Sequence, residues 1–235
     1  MRLENIVWDA RDPRRLGAFW SAALDAVPMT DEPDGYEARM SLGADVFLDL
    51  CFQRVGDVST SPARLHLDLA GGDEQAKRVE RLLGLGAEHI DIGQGEVPWV
   101  VLADPERNAF CVMEHRDAYR ATGPVAALPM DSADPARDAV FWAQITDWVP
   151  YDGVAPASLR HRSGRGPVLE FCPEPKSKQG KNRLHLDVRP DASEANMVTR
   201  VLDLGARCLD KAEGLPWEVF SDPSGNEFCI LAPSK

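Results

Sequence analysis

Apolar positions along the chain switch between two periods. Ile6 to Trp8 and Leu65 to Leu69 are short strand-like runs, the second alternating Leu with His and Asp as a half-buried strand does. Each leads into a helix. The first predicted helix takes Asp12 as its N-cap and Pro13 at its first position. It carries Leu16, Phe19, Trp20 and Leu24 on one face, a stripe that must pack on a sheet. The later helix sets Ala76, Val79, Leu82 and Leu83 at helical spacing and stops at Gly86, with a strand expected from Ala87. Ala195, Val198, Leu202 and Gly205 repeat that pattern. Strands ending in runs through Phe110 and Phe228 follow the Asp-Pro turns at Asp104 and Asp222.

These parallels are an internal duplication. The segment RLHLDLAGGDEQAKRVERLLGLGAEHIDIGQG from Arg64 lies over RLHLDVRPDASEANMVTRVLDLGARCLDKAEG from Arg183. After Glu96, which has no counterpart, VPWVVLADPERNAFCVME from Val97 lies over LPWEVFSDPSGNEFCILA from Leu215. About 22 of some 50 aligned positions are identical. The front ends match more weakly: Asp12-Pro13 and Phe19-Trp20 answer Asp134-Pro135 and Phe141-Trp142, and LDLC at Leu48 answers LEFC at Leu169. The expected domains are 1–117 and 124–235, with a linker near ATGP. Each copy reads as β-α-β-β followed by β-α-β-β-β. The stretches after Arg54 and Pro173 lack apolar periodicity and read as loops inside the copies, the second made basic by Lys176, Lys178 and Lys181.

Composition narrows the partners. The 235 residues carry 26 Lys+Arg against 38 Asp+Glu, a formal net charge of −12, which disfavours nucleic acid and anionic membranes and tolerates a neutral or cationic small ligand. The start MRLENIVWDARD has no signal-peptide pattern and no apolar run approaches a membrane span, so a soluble cytoplasmic protein is expected, as a monomer or homodimer. Five cysteines without a CxxC pair read as reduced thiols.

The strand His66-Leu67-Asp68, the helix end Leu85-Gly86-Ala87 and the turn Asp104-Pro105 leading to Asn108-Ala109-Phe110-Cys111 resemble the glyoxalase/bleomycin-resistance/dioxygenase group, the vicinal oxygen chelate superfamily. The resemblance spans nearly the whole chain, twice. It implies an α+β fold of tandem βαβββ modules forming open mixed-sheet cups that hold a ligand or metal. Metal-dependent relatives supply four inward strand ligands, typically His, Glu, His and Glu. The matching positions are Asn5, Asp49, His66 and Cys111 in the first copy and Ala127, Glu170, His185 and Cys229 in the second. Asparagine and alanine replace the first ligand and cysteine the last, so the carboxylate base of a glyoxalase I reaction has no counterpart.

The residues themselves leave two readings of the site open. His66 with Asp68, and His185 with Asp187, are two apart in a strand and face the same way. Joined by Asp49 or Glu170 and by Cys111 or Cys229, they form a nitrogen, oxygen and sulfur donor set suited to zinc, with iron as the other divalent option. Alternatively, the His-Leu-Asp run is structural and the cysteines fill the core. Trp20 and Trp142 are expected in the core, whereas Trp99 and Trp217, after prolines in matching strands, are either core or a wall for a planar or cationic ligand. Asn108 and Asn226 are expected to fold back on their own turns.

One turn differs between the copies: Gly225 in DPSGN faces Arg107 in DPERN. A turn needing φ > 0 there suits glycine and strains an arginine by roughly 1 kcal/mol.

Three function classes follow. The first is a protein binding or sequestering a small organic molecule in the sheet cup, with His66, Asp68, Trp99, His185, Asp187 and Trp217 as its contacts and no certain cofactor. The second is a divergent metal-dependent lyase, isomerase or dioxygenase, and the third a structural or interaction protein with vestigial sites.

Overall fold

The computed structural model describes residues 1–43, 46–194, 196–210 and 216–233. Ala195 and Leu215, named above, lie outside these. Four βαβββ units follow one another. The first is β1 (Arg2–Ala10), α1 (Pro13–Leu24), β2 (Val27–Glu32), β3 (Gly35–Gly43) and β4 (Val46–Arg54). The second is β5 (Asp68–Ala70), α2 (Gln75–Leu85), β6 (Glu88–His89), β7 (Val100–Ala103) and β8 (Ala109–Met113). The second copy repeats the order with β9 (Val125–Ser132), α3 (Pro135–Ile145), β10 (Trp148–Pro150), β11 (Ala157–His161) and β12 (Val168–Pro173). It ends with β13 (Leu184–Arg189), α4 (Met197–Asp203), β14 (Arg207–Asp210), β15 (Trp217–Ser221) and β16 (Glu227–Leu231).

The helix boundaries follow local chemistry. Asp12 caps α1 by accepting from the Arg15 amide, Asp134 caps α3 through the Arg137 amide, and a proline begins each helix. Gly86 ends α2 in the left-handed region at φ 108°. Three expectations need correcting. The first unit has three strands after its helix, because residues 27–43 form a β2–β3 hairpin. Leu65 makes only an isolated bridge to Met130, so β5 starts at Asp68. Leu202 is exposed although its spacing suggested core, since the short α4 buries only Met197 and Val201.

The sheets do not follow the repeats. One runs β14-β15-β16-β13-β1-β4-β3-β2 and the other β10-β11-β12-β9-β5-β8-β7-β6. Each therefore joins the front unit of one copy to the back unit of the other, along the antiparallel seams β1–β13 and β5–β9.

The core lies between the two sheets. On α1, Trp20 meets Trp8 of the first sheet and Phe110 of the second, and donates its indole N–H to Asp104 at 3.0 Å. On α3, Trp142 packs on Phe228 and donates to Asp222 at 3.2 Å. Both helices thus bridge the sheets, and both tryptophans are core, as their spacing implied. Gly17 lets the Tyr36 ring lie against the backbone of α1, where a Cβ would collide with it. Among the described residues no helix is long and apolar enough to cross a membrane.

Candidate functional site

Alternation decides which side chains face away from the helices. Trp8, Leu50, Leu186 and Phe228 point into the core, so Asn5, Asp49, His185, Asp187 and Cys229 point to the helix-free face. A row of paired residues crosses that face of the first sheet: Arg39, Asp49, Asn5, Asp187, Cys229 and Val219. Asn5 donates to Asp187 at 3.0 Å, and Arg39 binds Asp49 through two bonds of 2.8 and 2.7 Å. His185 Nε2 lies 3.5 Å from Cys229 Sγ and 3.4 Å from Asp187 Oδ1.

The second sheet builds the same triad. His66 Nε2 is 3.4 Å from Asp68 Oδ1, and Asp68 pairs with Cys111 across the β5–β8 ladder. In both triads the three ligand atoms lie within 4.8 Å of one another. The Asp68 and Asp187 carboxylates are buried, and among the described residues Oδ1 of each has only the long 3.4 Å contact to its histidine, while His185 Nδ1 meets no hydrogen-bond partner. Burial, reinforced by the neighbouring aspartate, pushes the thiols of Cys111 and Cys229 well above the ordinary range.

The residues fit a zinc-class ion. Bonds of roughly 2.0–2.3 Å around a tetrahedral ion separate its ligand atoms by roughly 3.3–3.8 Å. The His–Asp spacing of both triads and the His185–Cys229 spacing fall in that range, and a weakly bonded buried carboxylate oxygen suits a cation. His66, Asp68 and Cys111 would hold one ion, and His185, Asp187 and Cys229 another. Such a metal would act as a Lewis acid.

The sequence grouping of ligands within a copy needs correction, because sheet pairing crosses the copies. Asp49 shares its sheet with His185 and Cys229, while Glu170 shares the other with His66 and Cys111. The two carboxylates also differ in register. Asp49 stands beside Asn5, but Glu170 stands beside Pro129, where β1 has Val7 if the copies are aligned on Asp12 and Asp134. The two-residue slip keeps the face and moves the group along the strand. Glu170 thereby reaches the histidine row, since His66 donates its backbone N–H to Pro129 at 3.2 Å. Burial lowers the His66 pKa, but Asp68, with smaller help from Asp131 and Glu170, outweighs this and raises it overall. Burial also raises the Glu170 pKa, against the Val154 amide and the Tyr119 hydroxyl that bond to it.

Tyr119 was not singled out in the sequence. It sits in a short turn between the copies, with its ring among Cys111, Met113, Ala127 and Val168, and its hydroxyl donates to both Glu170 oxygens at 3.3 Å. Tyr151 donates to the Ala118 carbonyl at 2.9 Å, and Arg160 to the Arg120 carbonyl at 2.6 Å. The linker therefore straps part of the helix-free face of the second sheet. The available signal was one aromatic residue in a polar inter-repeat segment. Arg39 was legible only through the alternation Glu37-Ala38-Arg39-Met40.

Trp99 is half-buried beneath the Arg116 guanidinium, 5.5 Å from the ring centroid. Trp217 lines a separate cavity of about 520 Å³. Asn108 and Asn226 fold back on Asp104 and Asp222.

Two mixed, open sheets of paired βαβββ units with polar rows on their helix-free faces define a duplicated vicinal oxygen chelate fold. The chain belongs to the glyoxalase-like domain family, whose model matches residues 5–113 and again 127–231. No curated protein matches it. Among solved structures, glyoxalase I from Zea mays is similar with a TM-score of 0.66 at 15% identity, covering 98% of this chain and 92% of its own. A putative dioxygenase from Bacillus subtilis subsp. subtilis str. 168 gives 0.61 at 14%, covering 100% and 86%. At these identities the likeness is one of fold.

Proposed function

We propose that this glyoxalase-like protein binds a small organic molecule on the helix-free faces of its sheets, with the two His-Asp-Cys triads as polar anchors. The observation that carries this reading is the repeated buried carboxylate, Asp68 and again Asp187, whose Oδ1 is met only by a long 3.4 Å contact from its histidine. Buried polar atoms so weakly bonded are rare and suit a donor brought by a ligand. The net charge of −12 favours neutral or cationic guests. The test is a thermal-shift screen of small metabolites and antibiotics against wild type, Asp68→Asn and Asp187→Asn. A ligand that raises the melting temperature of wild type but not of the double variant supports the reading. Equal shifts in both would sink it.

A second reading, a metal-dependent lyase, isomerase or dioxygenase, draws on the triad spacing. Stoichiometric zinc or iron in gently purified protein, lost on Cys111→Ser with Cys229→Ser, would promote it. Absence of metal after growth with added zinc or iron would remove it.

A further inference from the structure

Away from both His-Asp-Cys triads, three side chains of the second copy form a hydrogen-bonded relay. Asp147 lies between α3 and β10, His161 ends β11, and Ser163 stands in the turn that follows. His161 Nε2 is 2.8 Å from Asp147 Oδ2, and its Nδ1 is 2.7 Å from Ser163 Oγ. The Ser163 amide also donates to Nδ1, at 3.2 Å. An amide N–H bonds to a lone pair, so Nδ1 is the unprotonated nitrogen and Nε2 carries the hydrogen donated to Asp147. The Arg165 amide donates to Ser163 Oγ at 3.3 Å, which leaves the hydroxyl proton directed at Nδ1. The order is that of a nucleophile, its base and an orienting carboxylate.

The surroundings suit this chemistry. Asp147 and His161 are largely buried, whereas Ser163 is exposed to an incoming molecule. A cavity of about 350 Å³ opens beside the imidazole, lined by Asp147 and His161 together with Leu42, Phe47 and Trp148, and it has room for a small acyl or aryl group. Arg162 and Arg165 flank Ser163 in the chain and bring positive charge to a turn where an oxyanion would form. The fold does not need the relay. In the first copy Asp25, which answers Asp147 when the copies are aligned on Asp12 and Asp134, pairs with Arg81 at 2.8 Å, and the hairpin of residues 27–43 contains no histidine.

We propose that Ser163 is an acyl-accepting nucleophile, with His161 as its general base and Asp147 as the positioning residue, acting on small aryl esters. Ser163 Oγ bonds to the ester carbonyl carbon while its proton passes to His161 Nδ1. The carbonyl carbon then releases the aryl oxygen, which takes that proton and leaves as the phenol. Water repeats the two steps on the acyl-serine, freeing the carboxylic acid and restoring the hydroxyl. This activity uses neither triad and stands apart from ligand binding on the sheet faces.

Diisopropyl fluorophosphate and p-nitrophenyl acetate are the probes. In wild type the fluorophosphate should label Ser163 ahead of every other serine, as read by peptide mass spectrometry. His161→Gln should slow that labelling at least about a hundredfold. Ser163→Ala should abolish the burst of p-nitrophenolate. Asp147→Asn should lower kcat for the ester at least about tenfold with KM unchanged, a split that a merely structural aspartate would not produce. No labelling of Ser163 in wild type, labelling untouched by His161→Gln, or an equal burst from Ser163→Ala would overturn the proposal. An unchanged kcat in Asp147→Asn would overturn the role given to that residue. If His161→Gln fails to fold, Ser163→Ala decides the matter, because that side chain is exposed and its truncation leaves the His161–Asp147 bond in place.

Discussion

Arg107 and Gly225 occupy the same place in the two copies and share one backbone conformation, left-handed at φ 66° and φ 89°. Each donates its amide to the aspartate that opens its turn, Asp104 or Asp222. The turn requires φ > 0, and only one copy uses the residue that adopts it freely. The arginine side chain is exposed, with a 3.3 Å contact to the equally exposed Glu88. Such surface pairs contribute little.

Arg107→Gly should therefore stabilise the protein. Relief of the left-handed strain is partly offset by glycine's entropy in the unfolded chain, leaving up to roughly 1 kcal/mol and a rise of roughly 2–4 °C in melting temperature. A clear fall in a calorimetric melt would show that the side chain matters more than the turn.

His66 should titrate above the ordinary histidine value of about 6.5, because Asp68 favours its charged form. A raised folded pKa means that the contribution to stability is fully present below about pH 6.5 and is lost as pH rises through the folded value. Asp68→Asn should move the His66 imidazole NMR titration downward and flatten that part of the stability profile. A titration midpoint unchanged by the variant would refute the coupling.

Cys208 is exposed while Cys111 and Cys229 are buried, protonated and set beside carboxylates. Iodoacetamide at mildly alkaline pH should modify Cys208 first, with Cys111 and Cys229 slower by at least about tenfold until the protein unfolds. Peptide mass spectrometry reads all three in one experiment. Comparable rates would contradict the buried placement.

Residues 1–117 alone would leave β1 and β5 without the partners β13 and β9. Unpaired strands recruit the nearest complementary edge, so this fragment should associate as a dimer in which each chain completes the other's sheets. Light scattering after size-exclusion chromatography checks this, and a stably folded monomer would contradict it.

The local parts of the structure were legible because short-range chemistry dictates them. Asp12 and Asp134 announce their helices, Gly86 and Gly205 mark helix ends, and the comparison of Gly225 with Arg107 exposed a backbone requirement. Pairing across the copies was not legible. The bond from Asn5 to Asp187 joins residues 182 apart, and nothing in the periodicity of β1 says which copy supplies its neighbour. The register slip between Asp49 and Glu170 was hidden for a related reason: a shift of two residues preserves every inward and outward position. Tyr119 escaped because turn-forming neighbours made its segment read as a connector.

The crossed sheets also bear on how such a protein can change. Two identical chains paired about a two-fold axis must alter both sites whenever one gene position mutates. Covalent joining of the halves releases that constraint, and this chain has used the freedom. Asn5 faces Asp187 where Ala127 faces Asp68, and a tyrosine from the connector closes on Glu170 while Asp49 takes an arginine from its own hairpin. One half can thus change the polar groups on its sheet face while its sibling keeps its own, with both held in shared sheets.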